Sequence, residues 1–271
     1  MLQHEYSLYV NSNKTSIIGH DKINNILNEI NLNKILNCGS YILNSMIFTD
    51  YILLKNAETI CINGGGDCLA SRQGRALLER IAEVYPNIKF DLHTNGLLCN
   101  EKLLKELNIL DRLSVVEISL HATIKNTYDK IVLGSDWEKV IKNIEWLADL
   151  KKQGKLDDLL LFFVVDNVNY KEMPDFIRLT EKYGAQAYFW TYRNWGVQNE
   201  KEAREMSIFD KRYRDYNELV KVLHNDIFKS KNSHLNPMLL EISQSYPINR
   251  NKKQKKKVRN GTILALKINT V

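Results

Sequence analysis

The sequence predicts an α/β fold built on a parallel sheet, either open or curled into a partial β/α barrel. Three observations predict it. From about residue 57 to 192, short and nearly continuous apolar runs recur, rich in β-branched and aromatic residues. Amphipathic helical stretches separate them. The connections are too long for hairpins, so successive strands must run parallel.

The strands are read in order from "ETICIN" (58–63), "IKFDLHTN" (88–95), "SVVEISLHA" (114–122), "LLLFFVV" (159–165) and "AQAYFWTY" (185–192). The first helix, in "SRQGRALLERIAEVY", is expected to turn Ala76, Leu77, Ile81 and Val84 to the core. The second, in "DWEKVIKNIEWLADLKK", turns Trp137, Val140, Ile144 and Leu147 inward, and Ser135 with Glu138 has the spacing of a capping box. The third, in "YKEMPDFIRLTEKYGA", has Pro174 near its start and Gly184 at its end.

Four regions follow. Residues 1–56 form an N-terminal accessory or degenerate segment, rich in Asn and Ile, with a helical stretch "DKINNILNEINLNKIL". Residues 57–196 form the β/α domain, and residues 197–249 a helical extension with Tyr213, Tyr216, Leu219, Val222 and Leu223 as its apolar stripe. Residues 250–271 are a basic tail. Within it "RNKKQKKKVR" carries seven positive residues and no acid, so the +6 net charge of the chain less these seven leaves −1 for the body. No aromatic residue interleaves those charges to stack on bases, so a nucleic-acid partner is not expected.

At 271 residues the chain can bury a substantial core. No apolar run is long enough to span a bilayer, and "MLQHEYSLYVNSNK" has neither a basic region nor an apolar stretch of the signal-peptide kind. The four cysteines, at 38, 61, 68 and 99, are too sparse for a disulfide framework, so reduced thiols and a cytoplasmic location are expected. Cys61 reads as a buried apolar thiol, and Cys38 and Cys99 as incidental loop residues. Cys68, directly after the glycine turn, is placed at the rim as a candidate ligand or reactive thiol.

In parallel α/β folds, ligands bind beyond the carboxyl ends of the strands. Polar residues collect there: Asn63, Gly64, Gly65, Gly66 and Asp67; His93, Thr94, Asn95 and Gly96; Ser119 and His121; Asp166, Asn167 and Asn169; Tyr192, Arg193 and Asn194. The run of three glycines can expose backbone N–H groups to a ligand. It is not a dinucleotide fingerprint, since Leu69 stands where a third spaced glycine would, and it is not a Walker loop. By itself it reads as a turn at least as well as a cofactor cradle.

Four pieces in order carry a resemblance: "INGGGDCLAS", "DLHTNGLL", "VEISLHATIKNTYDKIVLGSDWEKVIKNIEWL" and "FVVDNVNYKEMPDFIRLTEKYGAQAYFW". Together they resemble the radical S-adenosylmethionine (radical SAM) enzymes, over roughly residues 57–196. The first piece is similar to the family's Gly-Gly-Glu segment with Asp67 in place of Glu, and the second to its Thr-Asn-Gly strand end. The resemblance is nearest to members with an accessory cysteine-rich domain of the SPASM kind, and "LNKILNCGSYI" resembles the lead-in to such a domain.

The resemblance implies a partial (β/α)6 barrel, S-adenosylmethionine and a four-iron, four-sulfur cluster. It implies that Gly64, Gly65, Gly66 and Asp67 bind the amino group of S-adenosylmethionine. Ser119 and His121 would lie near the ribose, Asn95 near the cluster side, and Val165 and Asn167 towards the adenine. The departure is equally plain. The family's CxxxCxxC loop precedes the glycine segment, and here only Cys38 lies upstream of residue 60. The chain reads as a radical SAM protein whose first βα unit is missing or rewritten, with its activity in doubt and its small-molecule or peptide substrate unidentified. A barrel truncated in this way leaves a bare edge strand and an apolar interior, which implies poor solubility or a protein partner. Two other functions compete with this one: a metal-dependent β/α-barrel hydrolase using Asp67, His93 and His121, with Asp166 at a neighbouring strand end, and a non-catalytic binding scaffold.

Overall fold

The computed structural model describes residues 6–11, 58–64, 66–192 and 207–246. Seven strands form one sheet in the order of the chain: β1 (Tyr6–Asn11), β2 (Thr59–Gly64), β3 (Lys89–Thr94), β4 (Leu113–Ser119), β5 (Asp158–Val165), β6 (Gln186–Thr191) and β7 (Ser233–Leu235). Strands β2 to β7 are parallel, and β1 pairs antiparallel with β2, Tyr6 opposite Gly64 and Asn11 opposite Thr59. Among the described residues β7 does not return to β1, so the sheet is open, a partial barrel of the predicted α/β class. The edge of β2, expected to be bare, is covered by β1.

The helices are α1 (Arg72–Val84), α2 (Glu101–Glu106), α3 (Lys125–Ile131), α4 (Trp137–Lys152), α5 (Met173–Lys182), α6 (Tyr216–Leu223) and α7 (Pro237–Ser243). All five predicted strands are present, four within one residue of their expected bounds, while β4 ends at Ser119, three residues before the expected end at 122. β7 lies in a stretch read as helical, because three residues are too few to show a period. The long N-terminal helical stretch, residues 197–206 and the basic tail lie outside the described residues.

The strands are two-faced. On β3, Phe90, Leu92 and Thr94 are buried while Asp91 and His93 are half-buried. β5 alternates in the same way, with Leu159, Leu161, Phe163 and Val165 buried. The buried face packs on the helices: Phe176 of α5 meets Phe163 edge-on at 4.7 Å and Phe189 at 5.6 Å. A bulge in β4 sets Leu113 opposite Phe90 and Val116 opposite Leu92, and Asp91 Oδ1 accepts the Val115 N–H there at 3.1 Å.

Three local readings need correction. α1 buries Gly74, Leu78, Ile81 and Ala82, whereas Ala76 is exposed and Val84 lies at the surface. The buried stripe is thus shifted in phase from the one the sequence predicts, because Gly74 has no side chain to signal its burial. The cap of α4 is Asp136, whose Oδ1 accepts the Lys139 N–H at 3.2 Å; Ser135 instead shares a 2.7 Å hydrogen bond with the Tyr128 hydroxyl. On α6 the fully buried residues are Tyr216, Leu219, Val220 and Leu223, with Val222 and Tyr213 only partly buried.

Gly74 is the tightest point between α1 and the turn after β2. A Cβ there would stand 2.4 Å from the Cys68 carbonyl oxygen and 2.7 Å from its Cα. In an open helix Gly→Ala gains about 1 kcal/mol. Here Gly74→Ala is expected to destabilise by about 1–3 kcal/mol, since backbone must move. Urea unfolding measures it, and a stabilised variant would disprove the close approach.

Candidate functional site

The carboxyl ends of β2 to β5 form one rim, and side chains lace their turns together. Asp67 lies just beyond β2. Its Oδ2 accepts from the Thr94 hydroxyl at 2.7 Å and the Asn95 N–H at 2.9 Å, and its Oδ1 accepts the Leu69 N–H at 2.9 Å. The carboxylate therefore ties the glycine turn to the end of β3. Arg75 Nη1 donates to the Leu69 carbonyl at 2.8 Å, anchoring the same turn to α1. Gly64 closes β2, Gly65 lies outside the described residues, and Gly66 has φ +140°, with open space where a Cβ would stand.

After β3, Asn95 Oδ1 accepts the Leu97 N–H at 2.9 Å, and Gly96 has φ +82°. Asn143, buried on α4, donates to the Gly96 and Leu97 carbonyls at 2.8 and 3.3 Å. After β4, His121 has φ +61°. Its Nδ1 accepts the Val164 N–H of β5 at 3.1 Å, so the neutral ring carries its proton on Nε2. Burial, with the nearby His93 second, pushes the His121 imidazole down to about 4. Buried Asn169 donates to the His121 and Val164 carbonyls at 3.0 and 2.8 Å, and Glu172 Oε2 accepts from the Thr123 N–H and hydroxyl at 2.6 and 2.8 Å. Asn143, Arg75, Asn169 and Glu172 thus organise the rim. Asn169 was singled out in the sequence as a polar residue at a strand end, whereas Asn143 and Arg75 sit on helices with no sequence mark beyond being polar.

Ser119 is half-buried at the end of β4, its Oγ 3.4 Å from His93 Nε2, and His93 Nδ1 lies 3.1 Å from Glu117 Oε2. Val165 is fully buried in the core, while Asn167 stands beside it at the rim. The Asn167 Nδ2 donates to the Tyr213 hydroxyl at 3.2 Å, and its Oδ1 is buried without a hydrogen-bond partner. A buried acceptor with no donor is costly unless a ligand supplies one.

The metal-ligand reading is not supported by this arrangement. Asp67, His93 and His121 each turn to a different partner. Among the described residues no group of three His, Cys, Asp or Glu side chains is placed to hold a metal ion. Cys61, Cys68 and Cys99 are electrostatic neighbours, yet they do not converge on one point as metal ligands would. Cys68 is a core residue rather than a rim thiol, 1% exposed, because the chain folds under the turn to pack against α1. Burial, with Asp67 second, pushes its thiol up to about 12, and burial also raises Cys61 to about 12. Cys99 is fully buried, its thiol raised still further by the same cause. Burial therefore disfavours a free, reactive thiolate at each of these positions.

Two outcomes follow from these environments. In native protein, iodoacetamide should leave the peptides of Cys68 and Cys99 unmodified by mass spectrometry, and should modify both in urea; rapid native labelling of Cys68 would contradict its burial. His121 resists protonation in the fold, where its value is about 4 against 6.5 for the free side chain. The unfolded chain therefore takes up the proton first as pH falls. The stability His121 contributes is complete above about pH 6.5 and falls towards pH 4, by a few kcal/mol at most (about 1.4 per pKa unit). His121→Asn keeps an acceptor for the Val164 N–H and tolerates the positive φ. In urea titrations, the wild type should lose stability over that window relative to the variant, and parallel curves would refute the assignment.

Residues 50–180 match the family model described as the Radical SAM superfamily. An uncharacterized protein of Methanocaldococcus jannaschii is 34% identical over 94 residues, 34% of this chain and 32% of that one. The chain thus spans about a third of the length of the curated relative it matches. Among solved structures, archaeal TYW1 is similar at 12% identity with a TM-score of 0.36, over 83% of this chain and 70% of that one. Residues 50–180, which hold β2 to β5 and their rim, belong to the radical SAM superfamily.

Proposed function

We propose that the rim binds S-adenosylmethionine, and that this chain does so without assembling an iron–sulfur cluster on its own described cysteines. The observation that carries the proposal is the glycine turn. Asp67 holds it rigidly against β3, yet the space above Gly66 is open. Such a turn offers backbone groups to a polar ligand and needs no reorganisation to do so. Gly64, Gly65 and Gly66 would hold the amino end, with Asp67 as the residue that positions them. Ser119 and His121 would face the ribose and Asn95 the methionine end. The unpartnered Asn167 Oδ1 is an acceptor for an exocyclic amine. When bound, S-adenosylmethionine supplies an electrophilic sulfonium centre.

The described residues fit this ligand but not the family's cluster. Cys61, Cys68 and Cys99 do not form a three-ligand group, and burial holds their thiols protonated. The chain is best read as a radical SAM domain with its first βα unit rewritten: antiparallel β1 stands at the edge where that unit would pack. A partner that brings thiolates to this edge would restore the missing part. The substrate would be a small molecule or peptide entering over the rim.

Isothermal titration of the full chain with S-adenosylmethionine tests the binding. Saturable binding is expected, weakened at least about tenfold by Gly66→Val, since a residue with a Cβ is strained at this φ by about 1–3 kcal/mol. Asp67→Ala should weaken it too and lower stability by about 1–3 kcal/mol, leaving three donors unpaired. Absence of binding with circular dichroism intact would overturn the proposal. In anaerobic reconstitution, replacing Cys61, Cys68 and Cys99 by Ala should leave iron uptake unchanged; loss of a stoichiometric four-iron centre would show that they are ligands after all.

A further inference from the structure

On the half-buried face of the sheet, His93 and Glu117, to which cofactor binding gives no role, adjoin Ser119. His93 on β3 lies directly opposite Glu117 on β4, and Ser119 is two residues further along β4. Glu117 Oε2 is 3.1 Å from His93 Nδ1, and Ser119 Oγ is 3.4 Å from His93 Nε2. An ionised carboxylate only accepts hydrogen bonds. It therefore selects the Nδ1–H tautomer of His93 and leaves the Nε2 lone pair facing the Ser119 hydroxyl. This is the order of groups that activates a serine: nucleophile, base, and a carboxylate that orients the base. The His93 and Glu117 side chains retain 32% and 26% of their exposure, so the array is open to a ligand.

The surroundings indicate the kind of ligand. The Phe162 ring on β5 lies 5.8 Å from the His93 ring, and Tyr188 on β6 stacks on Phe162 at 5.1 Å with an interplanar angle of 12°. An apolar aromatic wall thus runs from the base along the sheet. His121, an electrostatic neighbour of His93, is held as its Nε2–H tautomer by the Val164 amide and is a neutral donor at the same rim.

We propose that Ser119, His93 and Glu117 form a nucleophilic site that hydrolyses carboxylic esters bearing an aromatic group. Ser119 Oγ attacks the ester carbonyl carbon as its proton passes to His93 Nε2. The bond to the alcohol oxygen breaks, and His93 returns the proton to the departing alkoxide. A water molecule, deprotonated by His93, then attacks the acyl-serine, releasing the carboxylic acid and restoring Ser119. The balance needs only ester and water. Glu117 is a positioning residue, acting through His93, and His121 offers its N–H to the negative charge that develops on the carbonyl oxygen. The reaction consumes neither S-adenosylmethionine nor iron, and because it uses Ser119 and His121, which the cofactor reading assigns to the ribose, bound S-adenosylmethionine would block it.

The test uses the full chain with a fluorophosphonate probe, located by peptide mass spectrometry, and with 4-nitrophenyl butyrate as ester. The probe is expected on Ser119. Ser119→Ala should remove it and reduce ester hydrolysis to that of buffer. His93→Gln should slow labelling by about 100-fold or more. Glu117→Gln should slow it similarly, and Glu117→Asp should recover part of the loss because it restores the charge that fixes the tautomer; a merely structural Glu117 would show no such recovery. Thermal melts confirm that each variant is folded. Labelling at another residue, no labelling of folded wild-type protein, or equal ester hydrolysis by Ser119→Ala would each overturn the proposal.

Discussion

The three hydrogen bonds accepted by the Asp67 carboxylate are the constraint on which the rim depends. A parallel sheet ends in a row of backbone N–H and C=O groups that the ladder no longer pairs, and burial makes each unpaired group costly. Asp67 settles this at the junction of β2 and β3 by taking the Leu69 and Asn95 N–H groups and the Thr94 hydroxyl at once. The turn that precedes it can then be pure glycine. A flexible segment would ordinarily lose much entropy on ordering, and the carboxylate at its end supplies the compensating attraction. Behind it, Gly74 lets α1 approach Cys68 so closely that the turn has backbone packed beneath it.

The same solution recurs around the rim with different side chains. Asn143 reaches from α4 to the carbonyls after β3, Asn169 joins the ends of β4 and β5, and Glu172 holds Thr123. Each links segments that are distant in sequence. The result is a platform whose shape is set by polar side chains above a wholly apolar layer of Phe90, Ile118, Leu161 and Phe163. A ligand arriving there meets groups already in position, which is the condition for strong electrostatic recognition.

The sheet's two faces divide the chemistry. On the helix side, burial raises thiol pKa values and leaves Cys68 and Cys99 as packing residues. On the other side, titratable residues sit in register across strands, Cys61 opposite Asp91 and His93 opposite Glu117. Period-two alternation alone sends Cys61, Asp91 and His93 to one face and Ile60, Phe90 and Leu92 to the other. The bulge in β4, stabilised by Asp91, brings Glu117 into register with His93.

The five strands of the β/α domain were legible because buried parallel strands are almost uniformly apolar, and the helix in 170–185 because Pro174 and Gly184 mark its ends. The rim was legible too, since polar residues just past apolar runs must fall at strand ends. The α1 face was not, because close packing there rests on an absent side chain at Gly74. The three-residue β7 was not, because it is too short to carry a period. The sequence by itself determined the α/β class, the order of the parallel strands and which residues gather at their carboxyl ends, all consequences of local periodicity and chain connectivity. Only the tertiary structure decided what those residues touch: that Asp67 binds β3, that Cys68 is core, and that His93 lies between Glu117 and Ser119. Those contacts join residues tens of positions apart, and their register depends on strand pairing and a single bulge that no local pattern encodes.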